Sequence, residues 1–147
     1  MFYMQEFEIV KDGAYYLALP FDLEGGTQGE SMEEVMSMTG EWLHDEMLFH
    51  LAAGRNLPTP TFGNEPQQGG RVVLVGMGAS LADVPSVSAS EAADILGVSR
   101  PRITKMLETG QLQGWKDGRN VRVSVESIEL RKATTATAAR PRKTAVA

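Results

Sequence analysis

Residues 88–125 constrain the fold more than any other part of the chain, because they contain two successive sets of helix start and stop signals. Ser88 precedes a glutamate by three residues, which is the spacing of a capping box, and Gly97 supplies the left-handed conformation in which many helices end. Ser99 and Gly110 repeat this pattern for a second helix. We therefore predict two short helices joined by a tight turn.

Each predicted helix has one apolar stripe at three- and four-residue spacing, so that the two helices can pack together. The members of the stripes are Ala89, Ala92, Ala93, Leu96, Ile103, Met106 and Leu107. Two short strands are expected next, Gln111–Trp115 and Val121–Val125, with the turn signal Asp117-Gly118 between them. The pattern indicates a helix-turn-helix followed by a β-hairpin wing.

Basic and hydroxyl side chains lie at the positions of the second helix and the wing that are predicted to be exposed. An exposed helix with Arg and Lys suits the major groove, where base edges present acceptors, and a basic hairpin suits the flanking phosphates. The predicted DNA-binding residues are Ser99, Arg100, Arg102, Thr104, Lys105, Lys116, Arg119 and Arg122. The alternative is a small α+β domain whose charges are only solvated.

The run E-A-A-D-I-L-G-V-S-R-P-R-I-T-K-M-L-E-T-G-Q-L, with the strand pair after it, resembles the excisionase-type winged helix-turn-helix family, which is related to the MerR-type DNA-binding domain. The resemblance implies that the second helix enters the major groove and that the hairpin touches the DNA backbone. One recognition helix buries too little surface for tight specific binding. We therefore expect a homodimer, or a tetramer made of two dimers.

The net charge of −5 conceals two halves of opposite sign. Residues 1–85 contain 13 acidic and 3 basic side chains, whereas residues 86–147 contain 6 acidic and 11 basic side chains. The basic half suits nucleic acid, and the acidic half suits a basic protein partner, although acidic surfaces also serve solubility. Because the chain has no cysteine, disulfides and thiolate metal sites are excluded.

The first half of the chain is predicted to run β-β-β-α-β. Its expected elements are the strands Tyr3–Val10, Tyr15–Leu19 and Gly25–Gln28, a helix capped by Ser31 and ended by Gly54, a loop over residues 55–70, and a buried strand Arg71–Met77. The first two strands flank a turn at Lys11-Asp12-Gly13-Ala14. The last strand contains the continuous apolar run V-V-L-V, which is typical of burial on both faces.

Four blocks of this half resemble the HicB antitoxin family, in the order of that family: F-E-I-V-K-D-G-A-Y-Y-L-A-L-P, L-E-G-G-T-Q-G-E-S-M-E-E-V, L-A-A-G-R-N-L-P-T-P and V-V-L-V. They span most of residues 3–77. The resemblance implies a partial RNase H-like domain in which a sheet packs on one long helix. The pair Gly25-Gly26 departs from the Gly-Cys that is frequent in the family. The fold class expected for the whole chain is α+β.

The resemblance also implies the antitoxin of a type II toxin–antitoxin pair. The partner would be a HicA-like toxin, a small basic ribonuclease that cleaves mRNA; the first domain would block it and the second would bind operator DNA to repress the shared operon. On the exposed helix face the candidate toxin-binding residues are Glu33, Glu34, Glu41 and Asp45, for which a merely solvated face is the alternative. The alternative function is a standalone DNA-binding regulator or phage-type architectural protein whose first domain only oligomerises.

We expect no enzymatic activity, no cofactor and no metal. An RNase H-like nuclease needs clustered carboxylates for Mg²⁺, and Glu6 and Glu8 lack a matching set. His44 and His50 are six residues apart, which is not the spacing of a metal-binding pair on one helix face. No apolar run approaches the length of a membrane span and no signal peptide is visible, so a cytoplasmic location is expected.

The expected domain organisation has four parts: a HicB-like domain over 1–78, a linker over 79–86, a winged helix-turn-helix domain over 87–133, and a disordered basic tail over 134–147. In the tail, Arg140, Arg142 and Lys143 could add nonspecific phosphate contacts, although most such tails are inert.

Overall fold

The computed structural model describes residues 1–139, which form two compact units that divide between Asp83 and Val84. The first unit contains β1 (Phe2–Asp12), β2 (Tyr15–Pro20), β3 (Thr27–Gly29), α1 (Met32–Ala52), β4 (Arg71–Gly78) and a 3₁₀ turn (Leu81–Asp83). The second contains β5 (Ser86–Ser88), α2 (Ala89–Leu96), α3 (Arg100–Glu108), β6 (Gly114–Asp117), β7 (Asn120–Ser124) and α4 (Val125–Ala139). The α+β class and the order β-β-β-α-β of the first half are confirmed.

The first unit is a four-stranded antiparallel sheet, in the order β3-β2-β1-β4, packed on α1. The long strand β1 lies between β2 and β4, and its odd-numbered side chains Tyr3, Phe7 and Ile9 enter the core beneath α1. Ser31 caps the helix by accepting a hydrogen bond from the Glu34 N–H at 3.1 Å, as its capping-box spacing predicts. The first half thus has one core, formed by one helix face and one sheet face.

The α1 stripe is buried at four positions four residues apart: Val35, Thr39, Leu43 and Met47. Thr39 satisfies its hydroxyl by donating to the Val35 carbonyl at 2.6 Å, so that a polar side chain is accommodated in the core. Met32, at the start of the helix, lies outside this stripe and is 40% exposed.

The prediction that Arg71–Met77 is buried on both faces is wrong. β4 is an edge strand of the sheet; Val73, Val75 and Met77 pack towards α1, while Leu74 is 50% exposed. A continuous apolar run is compatible with either position, because periodicity does not show which strands will flank it.

Glu6 and Glu8 hold the long loop over the outer face of the sheet. The Glu6 carboxylate accepts hydrogen bonds from the backbone N–H groups of Gly63 and Asn64, at 3.2 and 2.9 Å, and from the Asn64 side-chain amide at 2.9 Å. The Glu8 carboxylate accepts three more backbone N–H groups; the donors are Gln67, Gln68 and Gly70, at 2.8, 2.9 and 2.9 Å. Both glutamates are buried and serve this loop, which the sequence did not indicate.

These hydrogen bonds lower the pKa of both carboxyl groups. For Glu6 the largest cause is the bond from the Asn64 backbone. For Glu8 desolvation is the largest single influence and raises the pKa, but the bonds from Gln67, Gly70 and Gln68 together outweigh it. The loop therefore binds the ionised form of each side chain.

The second unit adds a strand that the sequence did not predict. β5 pairs with β7, which gives a three-stranded sheet in the order β5-β7-β6, and Ser86, placed in the predicted linker, belongs to it. The starts of the two wing strands also differ from the prediction. The first strand starts at Gly114 rather than Gln111, and the second starts at Asn120 rather than Val121. Leu112 is buried in the bend before β6, where it completes the α3 core.

The last helix is longer than its sequence predicts. After the wing, the sequence predicts a short helix that starts at Ser124 or Ser127 and reaches Lys132, with Ile128 and Leu130 packing back. In the structure α4 continues to Ala139, into the segment that was expected to belong to the tail. Its start is capped by Ser124, whose hydroxyl accepts the Ser127 N–H at 3.3 Å. Ile128 packs into the core as expected, whereas Leu130 is 63% exposed. The remainder of the predicted tail, with Arg140, Arg142 and Lys143, lies outside the described residues.

The anchoring of the loop predicts an acid-sensitive first unit. Because the pKa values of Glu6 and Glu8 are lower in the folded protein than their ordinary value of 4.5, their stabilisation is complete above that pH and is lost as the pH falls below it. Glu8→Gln should lower the free energy of unfolding at neutral pH and weaken its dependence on acid. Chemical denaturation across an acid pH series measures both effects.

The matched control is Glu24→Gln, at an exposed carboxylate of the same unit. It should leave the free energy of unfolding and its pH dependence unchanged. An acid transition of the same depth in Glu8→Gln and in the unmodified protein would contradict the assigned role of Glu8.

Candidate nucleic-acid interface

The helix-turn-helix is built by two capped helices and a three-residue turn. Ser88 caps α2 by accepting the Glu91 N–H at 3.1 Å, and Gly97 ends the helix in the left-handed conformation at φ 65°. Val98 donates its N–H to the Ala93 carbonyl, and Ser99 then caps α3 by accepting the Arg102 N–H at 3.3 Å. The predicted caps are confirmed, and a turn of this length is typical of a helix-turn-helix, in which the second helix crosses the first.

One side of α3 is packed in the core of the second unit, and the other side is exposed. Ile103 and Met106 are buried against α2 in the core of the second unit. At helical spacing, Thr104 and Lys105 lie on the face opposite these residues, while Arg100 and Arg102 flank it on either side, and all four are exposed. This arrangement presents three cations and a hydroxyl on the exposed side of one helix.

The wing is a tight hairpin whose tip is cationic. Asp117 and Asn120 form its last pair, and Gly118 and Arg119 make the two-residue turn, with Gly118 at φ 63°. Lys116 and Arg119 are exposed. They are therefore available to phosphate, as the sequence predicts.

Gly114 lets the wing approach α3 closely. A Cβ added there would lie 2.8 Å from Leu107 Cδ2 and 2.4 Å from the Arg122 carbonyl oxygen, so a side chain does not fit. Because position 114 has no side chain, the first wing strand can pack closely against α3.

Arg122 does not join the other cations at the wing tip. It is half-buried on β7, where Nε donates to the Ser86 hydroxyl at 3.0 Å and a terminal nitrogen donates to the Ser86 carbonyl at 2.8 Å. These charge-assisted bonds fasten the unpredicted strand β5 to the sheet. The structure therefore gives Arg122 a role in holding the fold.

Two hydroxyl candidates are also engaged locally. Ser99 is occupied as the α3 cap, and Thr104 donates to the Arg100 carbonyl at 3.5 Å. Either hydroxyl can still accept a hydrogen bond. The side chains free to reach DNA are Arg100, Arg102, Lys105, Lys116 and Arg119.

A groove beside α3 contains two cations that sequence reasoning did not include. It has a volume of about 420 Å³, and its lining includes Arg102 together with Arg131 and Lys132 from α4, above an apolar floor formed in part by Leu96 and Met106. The predicted end of the helix at Lys132 already placed both cations on α4. The sequence did not show that α4 packs against α2 and so lines one groove together with α3.

The four acidic candidates on α1 are all exposed, but they do not form one group. At helical spacing Glu34, Glu41 and Asp45 share a face with Met38, which is 36% exposed, while Glu33 lies towards the side. Glu33 and Glu34 occupy the first turn, where a carboxylate also stabilises the helix N-terminus. We call Glu34, Met38, Glu41 and Asp45 the acidic face.

Within residues 1–139, no group of three or more His, Asp or Glu side chains is arranged to hold a metal ion. His44 Nε2 lies 4.0 Å from an Asp83 carboxylate oxygen, and His50 Nδ1 lies 2.9 Å from the Glu46 carbonyl oxygen. In the same residues, none of the helices combines the length and apolarity that crossing a membrane requires.

Comparison with known proteins places a helix-turn-helix in the second half of the chain. Residues 87–133 match the family model of the helix-turn-helix domain. The chain is also similar to a putative antitoxin, VapB50, of Mycobacterium tuberculosis, with 35% identity over 60 residues that cover 39% of this chain and 46% of that protein. It thus spans just under half the length of that relative. No solved structure matches the chain. The chain carries a helix-turn-helix domain.

The two arginines of the wing give a sharp test of their roles. Arg122→Ala should destabilise the second unit by about 1.5–3 kcal/mol, because it removes hydrogen bonds from a charged donor. Arg119→Ala should change stability by less than about 0.5 kcal/mol, as is usual for an exposed residue. Thermal or chemical unfolding of the two variants measures the difference. Equal stability of both variants would show that the Arg122–Ser86 bonds contribute nothing.

Proposed function

We propose that this protein is an antitoxin and an autorepressor, which binds operator DNA through its second unit and a HicA-like mRNA-cleaving toxin through its first. The observation that carries the DNA half is the geometry of α3: its apolar side is buried, and its exposed side presents Lys105 between Arg100 and Arg102. Side chains of this kind, on a helix of this width, suit the acceptors of the major groove.

The wing supports the same half of the proposal. Lys116 and Arg119 stand near the tip of a hairpin whose base, at Gly114, packs against Leu107 of α3, so that helix and hairpin can meet one duplex together. Contacts of the wing with phosphate set position and affinity, and contacts of α3 with bases set specificity.

The antitoxin half is supported by three independent features. The similar protein in Mycobacterium tuberculosis is described as a putative antitoxin. The first unit has the β-β-β-α-β order and the sheet-on-helix packing that its resemblance to HicB antitoxins implies. This unit is strongly acidic, with 13 acidic and 3 basic side chains in residues 1–83, which favours association with a small basic protein.

The acidic face is the docking surface that we propose for the toxin. Glu41 and Asp45 lie in mid-helix, away from the helix N-terminus, so a stabilising role in the first turn does not explain them. Met38 adds exposed apolar area among the carboxylates. Carboxylates around a flexible apolar side chain suit a surface of Lys and Arg that must also exclude water.

We propose that the protein acts by binding, as a homodimer, and not by catalysis. The carboxylates that an RNase H-like nuclease would need on β1, Glu6 and Glu8, are each engaged by loop N–H groups. Dimerisation would present two copies of α3 to paired half-sites, which repressors of this architecture read together.

The DNA half is tested with the double variant Arg102→Ala with Lys105→Ala. Its affinity for the DNA upstream of its own gene should fall by about 1–3 kcal/mol if either residue reads a base, with less discrimination against scrambled DNA. A salt series separates this loss from nonspecific attraction, because each lost phosphate contact reduces the salt dependence.

The matched control for DNA binding is Lys11→Ala with Arg55→Ala, which removes two exposed cations from the first unit at positions outside β4. It should keep full DNA affinity. Equal affinity of the unmodified protein for operator and scrambled DNA would overturn the repressor half of the proposal.

The antitoxin half is tested with Glu41→Lys and Asp45→Lys together. Charge reversal on the acidic face should slow association with the small basic protein encoded beside this gene by about tenfold or more at low salt, since steering depends on charge. Asp12→Lys with Glu24→Lys changes the total charge equally at exposed sites outside α1 and should have a smaller effect.

The experiment measures the binding kinetics and the inhibition of the neighbour's ribonuclease activity. Failure of the unmodified protein to inhibit its neighbour would overturn the antitoxin proposal and favour a standalone regulator. Equal effects of the two double variants would show that total charge matters and that the acidic face does not.

A further inference from the structure

β4 is a long sheet edge that lacks a strand partner on its outer side. All eight of its residues pair with β1, from Arg71 opposite Ile9 to Gly78 opposite Phe2. Within residues 1–139, no strand pairs with its other side, so alternate N–H and C=O groups along this side have no strand partner. The opposite edge of the same sheet is β3, which has three residues.

Apart from Arg71 at its start, β4 contains none of the features by which sheet edges are usually protected. Exposed edges are commonly short, interrupted by proline or occupied by charged side chains, because these features prevent pairing with other chains. From Val72 to Gly78 the strand is V-V-L-V-G-M-G, without a charge or a proline. A long, regular and apolar edge is a template for another strand.

Exposed apolar side chains extend from this edge across the outer face of the sheet. Leu74 is 50% exposed and Phe2, on the neighbouring strand, is 68% exposed. The Phe2 ring lies over Gly76, where an added Cβ would be 2.7 Å from Cζ. The loop held by Glu6 adjoins this area, because Leu74 lies opposite Glu6 in the sheet, but it leaves Leu74 half-exposed and Phe2 exposed.

The charge distribution indicates what pairs with the edge. Residues 1–83 contain 13 acidic side chains, yet residues 1–5 and 72–82, which include the two adjoining strand segments, contain no charged side chain. Two copies of this acidic unit would repel each other if their carboxylates met. Along β4 they can meet without such contacts.

We propose that a second copy of the chain pairs with β4, strand to strand and antiparallel, so that two four-stranded sheets form one sheet of eight strands. Symmetry fixes much of the geometry. A two-fold axis that relates antiparallel strands is perpendicular to the sheet, so both α1 helices lie on one face and both Phe2 side chains on the other. Two residues that face each other across the interface are then both even-numbered or both odd-numbered. The axis passes near Leu74 or Val75, at the middle of the strand.

This inference rests on the proposed function, because the β4 pairing supplies the dimer that paired half-sites require. Dimerisation is nevertheless measured without DNA or toxin. Failure of DNA binding would therefore leave it standing, and its own failure would leave the DNA-binding proposal standing.

The first experiment compares the self-association of the full chain with that of Leu74→Lys by analytical ultracentrifugation. The unmodified protein should be dimeric, and Leu74→Lys should weaken the dimer at least tenfold, because it brings two cations together at the axis. The control is Gln28→Lys, an exposed position on the opposite edge strand, which should dimerise normally. Circular dichroism confirms that the variants are folded.

A monomeric unmodified protein, or a dimer that Leu74→Lys leaves intact, would overturn the proposal.

The second experiment uses the absence of cysteine from the chain. Single variants Leu74→Cys and Val75→Cys place a thiol near the proposed axis, and mild oxidation should cross-link at least one of them into a dimer. Gln28→Cys, on the other edge, should remain largely uncross-linked. Cross-linking no faster at positions 74 and 75 than at position 28 would overturn the proposed pairing, even if Leu74→Lys fails to fold.

Discussion

The first unit depends on two carboxylates that are buried under a loop. Residues 55–70 form neither helix nor strand, and their backbone N–H groups cannot all be satisfied by a sheet. Glu6 and Glu8, two residues apart on β1, point to the same face of the sheet and accept five of these N–H groups between them. β1 therefore contributes to the core beneath α1 with one face and holds the loop with the other.

The second unit uses a cation in the same way. Arg122 joins β7 to β5 through Ser86, and this short strand leads directly into the Ser88 cap of α2. In both units, charged residues that sequence reasoning considered for chemistry or ligand binding are instead held by hydrogen bonds within the fold. Removing them from the candidate site leaves a smaller group of free cations, on α3 and at the hairpin tip, whose exposure has no such structural explanation.

The sequence predicted what is determined locally. Caps at Ser31, Ser88 and Ser99 depend on residues three positions apart, and the hairpin turns depend on single glycines, so these features were found. The burial of β4 and the role of Arg122 depend on which distant strand lies alongside. An apolar run or an arginine has the same appearance in sequence whether its neighbour is another strand or solvent.

This limit bears directly on how the two units serve one function. The winged helix-turn-helix can be predicted from sequence because its caps, apolar stripe and turn depend on neighbouring residues. A single α3, however, makes few contacts with DNA. The feature that can double those contacts is the β4 edge, which becomes visible only when the sheet order is known. A strand with hydrogen-bonded neighbours on both sides would have no free edge for a second copy. The same residues at an edge, uncharged within an acidic unit, give a second copy a place to pair.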